Sequence, residues 1–176
     1  MAIARSQITP TGREVYFNED EIIVSKTDRT GKITYANHVF MKVSGYTEEE
    51  LMGAPHSLLR HPSMPRAVFK LAWDRILSGS EIFAYVNNLT RTGDNYWVLA
   101  HMTPSFGRDG AIVGFHSMRR VPDRHKLQQA ESLYDGLLAE ERRHADRAQG
   151  LQASSAMLAS TLQSAGKSYD EWVWSL

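Results

Sequence analysis

From residue 21 onward the apolar positions come first in short runs, then at helical spacing, then in alternation. Residues 21–27, Glu21-Ile-Ile-Val-Ser-Lys-Thr27, hold a short apolar run; Asp28-Arg-Thr-Gly31 has turn composition, and Ile33, Tyr35 and Ala36 resume the apolar pattern. That predicts a hairpin whose turn uses Gly31. Asn37 ends the second strand and is placed to cap a short helix over residues 38–43, which Gly45 stops. Thr47, with Glu50 three residues on, fits a capping box for another short helix ending near Met52. Val68, Leu71, Ala72, Ile76 and Leu77 recur at helical spacing, so residues 66–77 are predicted to form the domain's longest helix, with Gly79 past its end. Strand-like segments follow at 82–89, 95–104 and 111–121, rich in β-favouring residues such as Val86, Trp97, Val98 and Phe115. Two strands, several short helices and three strands predict an α+β domain, with the helices collected on one side of a five-stranded antiparallel sheet.

After Pro122 the strand signals vanish. Residues 127–165 lack Pro and are rich in good helix formers. One heptad series reads Ala130, Leu137, His144, Leu151, Leu158, Ala165 and Trp172; its companion reads Tyr134, Glu141, Ala148, Ser155, Leu162, Tyr169 and Leu176. The ends are apolar and the centre is polar. This predicts a coiled-coil seam that pairs two copies into a homodimer, with an amphipathic helix packing back on its own domain as the alternative. Gly150 and Gly166, each costing about 1 kcal/mol relative to Ala inside a helix, are the expected breaks. Ser168 and Glu171 can cap a last short helix carrying Trp172, Val173 and Trp174, an expected docking edge. The chain therefore divides into an N-terminal segment (1–14), a folded domain (15–121) and a helical extension (122–176).

Composition narrows the chemistry. Lys plus Arg and Asp plus Glu both number 20, so no net field favours nucleic acid or an acidic membrane. There is no Cys, which removes disulfides, thiol catalysis, Cys-ligated metals and any cysteinyl–flavin photochemistry. Met1-Ala-Ile-Ala-Arg lacks the apolar run of a signal peptide, and no stretch approaches the roughly 20 apolar residues of a membrane span. A cytoplasmic location is expected. No zinc-type His pair, phosphate-binding glycine loop or nucleophile elbow occurs, so neither a metal site nor an enzyme is expected.

The most informative stretch is Pro55-His-Ser-Leu-Leu-Arg-His-Pro-Ser-Met-Pro65. Three prolines prevent one continuous helix, so His56, Arg60 and His61 are presented on a rigid loop. Donors gathered in that way suit an anion or a polar cofactor edge. Together with Ile33-Thr-Tyr-Ala-Asn37, Ser44-Gly-Tyr-Thr-Glu-Glu-Glu-Leu51 and Asn88-Leu-Thr-Arg-Thr-Gly-Asp-Asn-Tyr-Trp-Val98, this order of motifs resembles a PAS sensor domain. More narrowly, it resembles the flavin-binding PAS domain of bacterial aerotaxis receptors, over roughly residues 15–138. The Arg60-His-Pro-Ser-Met-Pro65 run is the most specific part.

The resemblance implies a redox or oxygen sensor that binds FAD and reports to another protein, such as a chemoreceptor or a kinase. Aerotaxis receptors carry a membrane anchor and a long signalling domain, so this chain is expected to be a stand-alone sensor or a piece of a longer receptor. The resemblance places His56, Arg60 and His61 with the dinucleotide, Asn37 and Asn88 near the ring, and Phe69, Trp73 and Trp97 in or behind the walls. Each has a plainer reading: core for the tryptophans, a strand end for Asn88, a solvated loop for His56. Two positions depart from the family pattern. Ser63 replaces an acidic residue, and Ile82 or Phe83 stands where a tryptophan is usual. The competing readings are a haem site using His38, His56, His61 or His116, and a protein-interaction module with no ligand.

Overall fold

The computed structural model describes residues 8–176. The first part of the N-terminal segment, residues 1–7, lies outside the described residues. The hairpin forms as its pattern requires: β1 (Ile23–Asp28) and β2 (Ile33–Ala36) pair antiparallel around Gly31, at φ +80°. Only glycine takes that conformation without strain. A Cβ there would also stand 3.0 Å from the Trp73 indole. Asn37 caps α1 (His38–Ser44), and Thr47 and Glu50 form the reciprocal capping box of α2 (Glu48–Leu51). A short 3-10 turn at His56–Leu59 interrupts the proline-rich loop before α3 (Arg66–Leu77). The strands β3 (Ile82–Leu89), β4 (Asn95–Phe106) and β5 (Ile112–Arg120) complete one five-stranded antiparallel sheet in the order β2-β1-β5-β4-β3. The α1–α3 side of this sheet carries the helices expected from the sequence.

The extension is broken, as expected, but one of the breaks falls at a different place. It forms α4 (Arg124–Arg142), α5 (Arg147–Ser164) and α6 (Tyr169–Ser175). The first break falls after Arg142, not at Gly150, because the Asp146 side chain accepts from the Gln149 amide and starts a new helix. The second break is at Gly166, and the Ser168–Glu171 capping box opens α6 as expected.

The heptad positions of α4 are spent within the chain. Leu127, Ala130, Tyr134 and Leu137 are buried, and Tyr134 Oη donates to the Tyr85 carbonyl of β3 at 3.0 Å. Its ring sits 6.5 Å from that of Trp97. Both faces of the sheet are therefore covered. The seam does not stand free for a partner helix; it fills the outer face of its own sheet. From there α5 turns back along α4 and packs on α3, while α6 packs on β3. Val173 and Tyr169 are buried, and Trp174 lies edge-on to Phe83 at 4.7 Å, about half exposed. No helix among the described residues is long and apolar enough to cross a membrane.

Candidate functional site

Strand alternation decides which side chains face inward. Across the sheet, Ala84 of β3 pairs with Ala100 of β4, which pairs with Arg119 of β5. Two alanines in register leave a low, flat floor where larger residues would fill the space. Opposite this floor, α3 presents Val68, Phe69, Ala72, Trp73 and Ile76. Trp73 is held edge-on against Phe115 of β5 at 5.4 Å. Between floor and helix lies a cavity of about 490 Å³, within the usual range for small-molecule sites of roughly 300–1,000 Å³.

The charged groups lining the cavity share one sign. Arg60, Arg66, Lys70 and Arg119 line it, with His56 and His116, and none of its described lining residues is Asp or Glu. In a chain of zero formal charge this is a marked local segregation. Arg119 is the most buried of these cations, at 4% exposure. Its Nη1 donates to Ser25 Oγ at 3.0 Å and its Nη2 to His56 Nε2 at 2.6 Å. Burial drops its pKa to about 10, so it remains a cation at neutral pH. A guanidinium offers five N–H donors, and among the described residues no carboxylate pairs with this one. Because Nε2 of His56 accepts, that ring carries its proton on Nδ1. Burial, then the neighbouring Arg119 charge, pushes the His56 pKa down to about 3 and keeps the ring neutral.

Two further groups aim into the same space without a partner. Asn88 Nδ2 and Ser117 Oγ are buried and make no hydrogen bond among the described residues. Leaving a buried donor unmade costs about 1–3 kcal/mol, so each position suits an acceptor on a bound molecule. At the mouth, Arg60 lies over the Phe69 ring at 4.1 Å and donates to the Met64 carbonyl at 3.2 Å.

Of the eight residues singled out from the sequence, the cavity gathers five: His56, Arg60, Phe69, Trp73 and Asn88. Three lie elsewhere. Asn37 spends its amide on backbone, accepting from Phe40 and Val24 amides and donating to the Ile22 carbonyl, which fixes α1 to β1. His61 bonds Ser63 through Nδ1 at 2.7 Å, and its amide donates to the Asn87 carbonyl. Trp97 has the opposite parity to Ala100 and packs against Tyr134 on the outer face. Ser63, in place of the usual acid, joins His61 to Asn87. Ile82 is buried, while Phe83 stacks on His101 at 4.1 Å; neither lines the cavity.

Sequence reading missed Arg119, Ser117 and Ser25, although Phe115, Ser117 and Arg119 share one strand parity. Arg66, Lys70 and Leu151 also line the cavity. For Leu151 no local signal existed, because it arrives from α5.

Comparison with known proteins agrees with this architecture. Residues 21–119 match the model of the PAS fold family. The aerotaxis receptor of Escherichia coli is 40% identical over 121 residues, which cover 69% of this chain and 24% of that protein. The nitrogen fixation regulatory protein of Klebsiella pneumoniae is 28% identical over 99 residues, 56% of this chain and 20% of its own length. The chain thus spans about a quarter or less of these relatives. Among solved structures, the dark state of the blue-light photoreceptor Aureochrome1 LOV superposes with a TM-score of 0.56 at 22% identity, covering 62% of this chain and 82% of that one, a likeness of fold. The sheet order, the cavity under α3 and the matched 21–119 segment together make this chain a member of the PAS family.

Proposed function

We propose that this PAS domain is a FAD-binding redox or oxygen sensor, cytoplasmic and without catalysis of its own. The observation that carries the reading is the flat, carboxylate-free cavity with a buried, uncompensated cation and two unpartnered polar groups. The similarity to an aerotaxis receptor supports it. When bound, flavin supplies proton-coupled electron transfer. The chain's residues supply position and electrostatics. The Ala84–Ala100 floor and the Trp73–Phe115 wall would take the flat ring. Arg119, Asn88 Nδ2 and Ser117 Oγ would donate to its heteroatom edge, and neutral His56 keeps Arg119 aimed through Nε2. Arg60 at the mouth would bond the dinucleotide tail, where charge-assisted hydrogen bonds are the strong ones.

Output passes to a partner protein, such as a chemoreceptor or a kinase. A homodimer remains part of the proposal, but it has to use a surface other than the α4 seam. Light scattering on the full chain tests that point; a monomer at tens of micromolar concentration contradicts it. The cofactor is tested by heating the purified protein and identifying the released nucleotide by mass spectrometry. FAD is expected; haem, or no cofactor after incubation with excess FAD, overturns the reading.

A further inference from the structure

The helix α3 begins after Pro65, whose side chain gives no hydrogen bond to its first turn. Glu141, at the far end of α4, fills that role. Its Oε1 accepts from the Ala67 amide at 3.1 Å and from Ser154 Oγ at 3.0 Å; its Oε2 accepts from Arg66 Nε at 2.8 Å. Arg66 Nη1 donates to the Arg147 carbonyl at 2.6 Å. One buried carboxylate therefore ties together α3, α4 and α5. Gly150 lies where α5 crosses this knot. A Cβ there would stand 2.7 Å from the Glu141 carbonyl oxygen and 3.1 Å from Arg66 Nη2. The absence of a side chain lets α5 approach, and the next residue, Leu151, reaches the cavity wall.

Two cations one turn apart on α3, Arg66 and Lys70, are held by carboxylates that do not line the cavity, Glu141 and Asp74. We infer that the α4–α5 hairpin is part of the binding site: Leu151 closes the mouth, and Glu141 positions Arg66 beside Lys70 to take the anionic phosphate portion of a dinucleotide ligand. This rests on the flavin reading above and adds to it the ligand's tail and the element that covers it. Because Leu151 reaches the cavity only when α5 is docked, ligand binding and hairpin docking are linked. Each strengthens the other by the same factor. The hairpin thereby becomes the element through which occupancy is communicated to the rest of the chain.

The test uses the full chain freed of cofactor, titrated with FAD and with riboflavin, which has the ring but no phosphate. Amide hydrogen exchange in α5 is measured with and without each. FAD should slow exchange across residues 147–164. Arg66→Gln should weaken FAD about tenfold, the loss of one charge-assisted hydrogen bond, and weaken riboflavin distinctly less, through looser docking of α5 alone. Leu151→Ala should weaken both ligands by about three- to tenfold, from lost apolar burial. Should Arg66→Gln fail to fold, Lys70→Gln, which removes only an exposed pair, tests the same clamp with the same expected selectivity for FAD. Unchanged α5 exchange on FAD binding, or equal losses for FAD and riboflavin in the cation variants, overturns the inference while leaving the flavin reading intact. Failure of the wild type to bind either ligand defeats the flavin reading, and the clamp with it.

Discussion

Asn87 and Asn88 are neighbours on β3, yet they occupy opposite worlds. Asn87 faces the outer side, where it bonds Ser63 and accepts from Asn95. Asn88 faces the cavity, where its Nδ2 has no partner among the described residues. The same division runs through the tryptophans: Trp97 is packed against Tyr134 outside, and Trp73 walls the cavity inside. The outer face is filled by α4 and α6, around Tyr134 and Val173. The other leaves about 490 Å³ and several polar atoms unspent. The contrast teaches that the inner face, although it shares the buried core, leaves space and polar groups unspent where the outer face fills its own.

Trp97→Ala should break the outer face most severely. A buried aromatic truncated to alanine costs about 3–5 kcal/mol, so the melting temperature should fall sharply while flavin content per folded molecule is maintained. Loss of flavin with an unchanged melting temperature would reverse the assignment of the two faces.

The next effect belongs to the inner face alone, through His56. Its folded pKa, about 3, lies below the ordinary 6.5. The unfolded chain therefore takes up a proton first, so stability is complete above pH 6.5 and declines as pH falls towards 3. Denaturation at stepped pH should show a shallower decline for His56→Gln than for the wild type. Parallel curves would mean that the ring is not held neutral.

At the mouth, Arg60→Ala should reduce FAD retention by roughly tenfold or more with little change in unfolding temperature. Equal occupancy by absorbance ratio would remove Arg60 from the site. Smallest in stability is Asn88→Ala, expected within about 1 kcal/mol because the donor it deletes is unpaired in the fold. The flavin midpoint potential should shift, and a large stability loss with a fixed potential would return Asn88 to the outer-face class.

Much of this division was legible beforehand. The Gly31 turn, the Thr47–Glu50 and Ser168–Glu171 capping boxes and the three late strands are local signals, and all three kinds formed. The Pro-rich loop pointed to His56 and Arg60, which line the cavity, but not to their company. Arg119 sits 63 residues from His56 and meets it only because β5 lies beside β1. Parity within β5 could have exposed it. The break before α5 was also written locally, as Asp146 followed by Gln149, but the heptad pattern ran across it. Glu141 read as a polar flaw in a seam. Its role is nonlocal, since its donors come from residues 66, 67 and 154.

The most direct measurement is a visible spectrum of the purified full chain, recorded anaerobically before and after reduction and again after readmitting air. A flavin in this cavity predicts the paired absorption bands of the oxidised ring, bleaching on reduction and returning in air. A chain that stays colourless after incubation with FAD, or shows the single intense band of a haem, would contradict the account.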